Sequence, residues 1–431
     1  MTRAWALGDL LSTLFERRGT TGIDKGGEPL TDLCAALLSG RGEVSGMKLA
    51  ARLLARLRAA PEAERLAFFR HMAEGLDLDA ERVAQAAQDY RETRDADRLR
   101  ALLVAAEPPR QELLRRLNQA PGGTVDLVAM RVDLLKAAKE DPGLARVDLD
   151  FQHLFGSWFN RGFLVLRRIS WDSPASVLEK LIEYEAVHDI TGWDDLRRRV
   201  DPEDRRCFAF FHPALPDDPL IFVEVALTKG IPGAVGPILA EDRQALPVAE
   251  ADTAVFYSIS NCQAGLRGIS FGNSLIKQVV EVLGRDLPHL TTFVTLSPIP
   301  GLGRWLAGLA VEPETPLATE ARALLEADAP DPARLRALTA RYLLEAKSGD
   351  GQPSDPVARF HLGNGAEVHA IHAGADLSSK GRRQSLGAMV NYRYDPAKVE
   401  ANHEAYATAR DVAASREVRT LAAGQPTGRP K

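Results

Sequence analysis

The strongest constraint on the fold is a change of hydrophobic rhythm at Asp141-Pro142-Gly143. Before it, from about Val44 to Glu140, apolar residues recur three and four positions apart, broken at intervals by proline or glycine, which is the pattern of successive amphipathic helices. Leu49, Leu53, Leu54 and Leu57 make the first stripe, Asp79 is placed to cap a helix over 80–90, and Ala120-Pro121-Gly122-Gly123 separates two more helices. No fixed period of about 20 to 50 residues runs through this part, so a bundle is expected and a solenoid is not. The arginine runs 52–58 and 110–116 interleave with leucines and read as solvated helix faces.

After the break, strand-like runs alternate with helical ones. Strands are expected over 162–169, 206–212, 220–227, 253–259 and 291–296, with a late strand over 367–371. Helices are expected over 174–185, 192–200 and 272–283, after the Ser297-Pro298-Ile299-Pro300-Gly301 turn, and over 319–327 and 332–344. The chain is therefore read as α+β: a helical domain over 1–145, a mixed-sheet domain over 146–420 and a polar tail over 421–431.

Composition removes several function classes. The chain has 431 residues, with 54 Lys and Arg against 59 Asp and Glu, so its net charge of -5 lacks the basic excess of a nucleic-acid binder. No run of about 18 apolar residues is present to cross a membrane. Cys34, Cys207 and Cys262 form neither a CxxC pair nor a disulfide framework, which fits a reducing compartment, with cytoplasm as the expectation. Residues 1–18 lack the apolar core of a secretory signal, and the tail lacks a Ser-Lys-Leu ending. His369 and His372 have no evident third partner, so no metal site is expected.

The order of strands and helices resembles the GNAT acetyltransferase fold, whose members bind acyl-CoA. In that fold the loop after the fourth strand holds the pyrophosphate of coenzyme A on backbone amides at a helix N-terminus. Here the loop reads Gln263-Ala264-Gly265-Leu266-Arg267-Gly268-Ile269-Ser270-Phe271-Gly272-Asn273. Counted from Arg267, Ser270 stands where the first motif glycine belongs and Gly272 where the second does, so one close backbone approach is obstructed or replaced.

Three segments narrow the resemblance: Phe256-Tyr257-Ser258-Ile259-Ser260 with the loop through Asn273, Leu296-Ser297-Pro298-Ile299-Pro300-Gly301, and Phe360-His361-Leu362-Gly363-Asn364-Gly365. With Tyr184 to His188, His212 to Thr228 and Met389 to Tyr394, they resemble the malonyl-CoA decarboxylase family over roughly 151–394. The resemblance implies a helical domain joined to an acetyltransferase-like domain, conversion of malonyl-CoA to acetyl-CoA and carbon dioxide without metal or organic cofactor, and a homo-oligomer, dimer or tetramer, formed through the helical domain. It implies catalytic roles for Ser297 and His361, and contacts to malonyl-CoA from Arg267, Gly268, Ile269, Ser270, Phe271, Gly272, Asn273, Ser297 and His361.

The residues themselves suit that chemistry without fixing it. Imidazole titrates near neutral pH, so His361 is a reasonable acid for protonating an enolate; position alone also fits a core histidine before a glycine turn. Ser297 either binds or orients at a strand end or caps the helix that begins near Gly301. No G-x-S-x-G elbow surrounds it, which argues against an acyl-serine. Lys380, Arg382 and Arg383 either contact the coenzyme A 3'-phosphate or form a solvated loop. Tyr392 and Asn391 either line the pocket or serve the core. Two rivals remain: an acyl-CoA-dependent acyltransferase and a non-catalytic acyl-CoA sensor.

Overall fold

A computed structural model describes residues 28–40, 42–269, 275–313 and 315–424. The chain forms two compact units, Met1–Phe151 and Gln152–Lys431.

The first unit is helical among its described residues. Its helices are α1 (Leu30–Leu38), α2 (Glu43–Ala59), α3 (Glu62–Arg70), α4 (Ala80–Thr93), α5 (Ala96–Ala105), α6 (Pro109–Asn118), α7 (Gly123–Ala137) and α8 (Ala145–Trp158), the last running across the division. Leu53, Leu54 and Leu57 of α2 are buried with Leu113, Leu114 and Leu117 of α6 and Leu127 and Leu134 of α7. Asp79 caps α4 by accepting from the Arg82 amide at 3.0 Å. The arginine run 110–116 is not a solvated face throughout: Arg110 is buried, its guanidinium bound by the carboxylates of Asp77 and Asp150. A guanidinium enters a core when carboxylates neutralise it and carbonyls use its remaining donors, and the Leu76 carbonyl adds that contact here.

The second unit is a mixed sheet flanked by helices, and the expected α+β architecture is borne out. Its strands are β1 (Val165–Ile169), β2 (Arg205–Phe211), β3 (Ile221–Thr228), β4 (Thr253–Asn261), β5 (Thr292–Thr295), β6 (Ser297–Pro298), β7 (Glu367–His372) and β8 (Met389–Arg393). They lie in the order β1-β2-β3-β4-β5-β8-β6, with β7 on β8. All neighbours are antiparallel except β4 and β5. β2 and β3 are mostly apolar, with Arg205, Arg206 and Glu224 as charged exceptions, and are almost wholly buried on both faces, as central strands covered on both sides must be. The helices are α9 (Ala175–Tyr184), α10 (Trp193–Val200), α11 (Gly236–Leu239), α12 (Leu275–Asp286), α13 (Leu302–Ala310), α14 (Pro316–Glu326), α15 (Pro332–Glu345), α16 (Pro356–Gly363), α17 (Ser379–Ser385), α18 (Val399–Ala409) and α19 (Arg416–Ala422).

Two local differences from expectation have clear causes. The first strand begins only at Val165, because Asn160 accepts from the Gly162 amide at 2.9 Å and folds Arg161–Phe163 into a 3-10 turn. A strand at Met389–Arg393 was not expected, yet β8 joins β5, β6 and β7 into one sheet.

The parallel pair sets the site. Its register runs from Thr253 against Thr292 to Phe256 against Thr295, and the Leu296 amide donates to the Phe256 carbonyl at 2.9 Å. Beyond that point β4 continues to Asn261 on β3, while Ser297 and Pro298 turn to β8. The two strands therefore part at their carboxyl ends, the end of an open sheet where ligands enter.

Candidate active site

Ser297 stands where β4 and β5 part, and Thr295, two residues earlier, projects to the same side of the chain. His361 arrives from α16, whose first turn begins at Pro356 behind the cap Asp355. Tyr392 and Tyr394 come from β8 and the residue following it, again two apart. Three segments distant in sequence thus meet at one imidazole.

The contacts form a directed chain. Ser297 Oγ donates to Thr295 Oγ1 at 2.8 Å and lies 3.1 Å from His361 Nε2. His361 Nδ1 lies 2.8 Å from the Tyr394 hydroxyl. Since the Ser297 proton points to Thr295, Ser297 accepts from His361; Nε2 then carries the imidazole proton and Nδ1 accepts from Tyr394. The Tyr392 amide donates to Thr295 Oγ1 at 3.1 Å and fixes the far end. The Tyr392 ring stacks on His361 with centroids 4.5 Å apart and planes 24° apart.

The chain is dry. His361 is 2% exposed and Ser297 5%. Burial without an adjacent anion pushes the His361 pKa down to about 3, and burial also pushes the Tyr392 and Tyr394 hydroxyls well up. The expectation that His361 titrates near neutrality is therefore corrected for the free site: the ring is neutral. The helix-cap reading of Ser297 also fails, since Gly301 occupies the cap position of α13 and Ser297 is bound to Thr295 and His361 instead.

Behind β4, Glu185 accepts from the Ser258 hydroxyl at 2.8 Å and from the amides of Val187 and His188 at 2.7 and 2.9 Å. This holds the segment after α9 against the part of β4 that has left β5. Glu224 on β3 is raised above the ordinary carboxyl range by burial and by Glu185, with Arg199 3.4 Å away.

The loop after β4 leaves the same carboxyl end as Ser297. A 3-10 turn, Ala264–Leu266, precedes Arg267 and Gly268, which are exposed, and Ile269, which is buried. Gly268 has φ of +81°, a left-handed conformation that favours glycine. Ser270, Phe271, Gly272 and Asn273 lie outside the described residues, as does the tail from Gln425. Lys380 gives its ammonium to the carbonyls of Ala186 and Val187, whereas Arg382 and Arg383 are exposed and, among the described residues, bond to carbonyls of their own segment. Asn391 is buried and joins strands by donating to the Thr295 carbonyl at 2.8 Å. Among the described residues no group of three or more His, Cys, Asp or Glu side chains is arranged to hold a metal ion. His372 instead bonds Asn391, and His369 lies beside Glu367.

Sequence reasoning brought Ser297 and His361 forward but missed Thr295, Tyr394 and Asp355. Tyr394 lay within the segment that carries the family resemblance; Thr295 and Asp355 left no signal beyond spacing.

The family model described as the malonyl-CoA decarboxylase C-terminal domain matches residues 162–430, and the N-terminal domain model of the same family matches residues 76–159. The mitochondrial malonyl-CoA decarboxylase of Rattus norvegicus is 35% identical over 414 residues, covering 84% of this chain and 83% of the relative. That of Anser anser anser is 35% identical over 393 residues, covering 80% and 77%. The crystal structure of malonyl-CoA decarboxylase from Rhodopseudomonas palustris superposes with a TM-score of 0.86 at 51% identity, covering 91% of this chain and 98% of the other. The structure from Agrobacterium vitis gives 0.85 at 51% identity, covering 91% and 99%.

Proposed function

The chain belongs to the malonyl-CoA decarboxylase family, carboxy-lyases that convert malonyl-CoA to acetyl-CoA and carbon dioxide, and on that premise we propose that Ser297 and His361 are the reacting centre. The observation that carries this is the buried Tyr394–His361–Ser297–Thr295 chain at the parting of β4 and β5.

Malonyl-CoA brings its own electron sink. When the bond from the alpha carbon to the carboxylate breaks, its electron pair passes to the thioester carbonyl as an enolate and carbon dioxide leaves. Neither a metal nor an organic cofactor is needed, and coenzyme A is part of the substrate. Removing the carboxylate from water and placing a donor at the developing oxyanion lower the barrier. The arriving carboxylate also supplies the negative charge that the free site lacks, so His361 takes up a proton on binding. Tyr394 accommodates this by rotating its hydroxyl from donor to acceptor. The imidazolium then gives its proton to the alpha carbon, leaving acetyl-CoA and a neutral ring. Ser297 orients His361 and contacts the malonyl group. The backbone of Arg267 to Asn273, with their side chains, receives coenzyme A at the end of β4.

We also assign a homo-oligomer, dimer or tetramer, built through the helical unit. Its support is apolar surface on α5, where Leu99, Leu103 and Val104 are exposed. No helix among the described residues is long and apolar enough to cross a membrane. The reading as a cytoplasmic protein rests on three buried, unpaired cysteines.

The test is purified protein with malonyl-CoA alone, measuring carbon dioxide and acetyl-CoA in equal amounts. Ser297→Ala and His361→Ala are each expected to lower turnover at least tenfold, about 1.4 kcal/mol of activation free energy. Wild-type turnover in both folded variants refutes the assignment of the centre. Turnover only when an amine or hydroxyl acceptor is added would instead identify an acyltransferase, and binding without turnover a sensor.

A further inference from the structure

Ser297 and His361 meet at 3.1 Å but come from different supports. Ser297 belongs to the sheet, whereas His361 sits on α16, a helix of eight residues. A 1 Å error between two such groups is enough to spoil chemistry, so something must join the helix to the loop that leaves Ser297.

Asp355 makes that joint. It is 1% exposed. Its Oδ1 accepts from the amides of Val357 at 2.9 Å and Ala358 at 3.1 Å, which caps the helix carrying His361. Its Oδ2 accepts from the amide of Gly301 at 3.1 Å, four residues after Ser297, and from the Tyr342 hydroxyl at 3.5 Å. One carboxylate therefore ties the first turn of α16 to the Ser297-Pro298-Ile299-Pro300-Gly301 loop. An ordinary cap does less: Asp331 accepts from the Arg334 amide of its own helix at 2.8 Å at an exposed position.

The loop side of the joint is equally tight. A Cβ on Gly301 would stand 1.9 Å from the Tyr342 hydroxyl and 3.2 Å from Asp355 Oδ2. Glycine is required there by close approach, since its φ of -92° is open to any residue. The two prolines before it stiffen the link back to Ser297.

We propose that Asp355 is a positioning residue for the decarboxylation, holding the Ser297 loop and the His361 helix in register by binding both through its two oxygens. It does not touch substrate. The inference rests on Ser297 and His361 being the reacting centre, and it assigns Asp355 no chemistry of its own.

The experiment measures kcat and KM for malonyl-CoA in the full chain carrying Asp355→Asn, Gly301→Ala or Asp331→Asn, beside Ser297→Ala and His361→Ala. An asparagine has one oxygen and serves either the helix amides or the Gly301 amide, so the joint opens while most packing is retained. Asp355→Asn is expected to lower kcat at least tenfold with KM changed less than twofold. Gly301→Ala, which pushes the loop away from the other side, is expected to show the same split. Asp331→Asn is expected to leave both constants unchanged, which shows that exchanging Asp for Asn at a helix cap is not by itself the cause. Wild-type kcat in folded Asp355→Asn overturns the proposal, as does a loss confined to KM. If Ser297→Ala and His361→Ala lose turnover while Asp355→Asn keeps it, only the joint fails; if those two also keep it, the assignment of the centre has failed first.

Discussion

Acid should destabilise the second unit through His361 by an amount that can be isolated. The ring has an ordinary pKa of 6.5 and is held near 3 in the fold by burial. A group whose folded pKa is depressed in this way gives up stability as protons are added. The unfolded chain binds a proton below pH 6.5 and the folded chain does not until about pH 3. The contribution is whole above 6.5 and falls by about 1.4 kcal/mol for each pH unit below it, until about pH 3. Between pH 7.5 and 4.5 this amounts to roughly 3 kcal/mol. His188, also buried and lowered to about 4, adds a loss of the same sign, as do carboxylates held in ion pairs. These are common to wild type and a His361→Gln variant, so the difference between the two proteins isolates His361. Urea unfolding followed by tryptophan fluorescence suits the measurement, because Trp158, Trp171, Trp193 and Trp305 all lie in the second unit. The expected result is a wild type that loses roughly 3 kcal/mol more than the variant between the two pH values. Equal losses in both proteins would refute the claim that His361 is held neutral.

Two further outcomes follow from single contacts. Tyr394→Phe removes the donor at 2.8 Å from His361 Nδ1 and leaves that buried nitrogen unpaired, at a cost of about 1 to 3 kcal/mol in unfolding experiments, with kcat expected to fall along with it; a variant with unchanged stability and turnover would show that the hydroxyl is idle. Gly365→Ala puts a Cβ 2.0 Å from the Val399 carbonyl at a residue with φ of +83°, and is expected to lower thermal stability by about 1 to 3 kcal/mol, whereas an unshifted melting temperature would contradict the crowding.

The legibility of this molecule divides by how local each cause is. β2 and β3 were readable because seven and eight successive residues are almost wholly buried, which leaves the apolar runs 207–211 and 221–227, the second interrupted once by Glu224. β8 was not, because it has only five residues and Asn391 interrupts them, and a buried amide in a central strand makes sense only once its acceptor, the Thr295 carbonyl, is known from far upstream. α16 was hidden for a related reason: eight residues between Pro356 and Gly363 give too few turns to show a period, and its cap Asp355 has a second partner in another loop. Ser297 and His361 were found through the resemblance, whereas their protonation could not be. A histidine's pKa belongs to its surroundings, and no spacing in the chain reports that the ring is buried without an anion.

Those surroundings also decide between two uses of a serine beside a histidine. A serine that attacks a thioester must surrender its proton to a base, so the hydroxyl must donate to the imidazole. Here the polarity runs the other way. The Tyr392 amide can only donate, which fixes Thr295 Oγ1 as its acceptor, and the Ser297 hydroxyl also donates to that oxygen. Ser297 is left to receive the Nε2 proton, while Tyr394 occupies Nδ1. An imidazole bound in this order is poor at activating Ser297 and well placed to hand a proton outward from Nε2. The enolate left by decarboxylation needs a proton at carbon and no nucleophile, so the direction of three hydrogen bonds favours protonation over acyl transfer through Ser297.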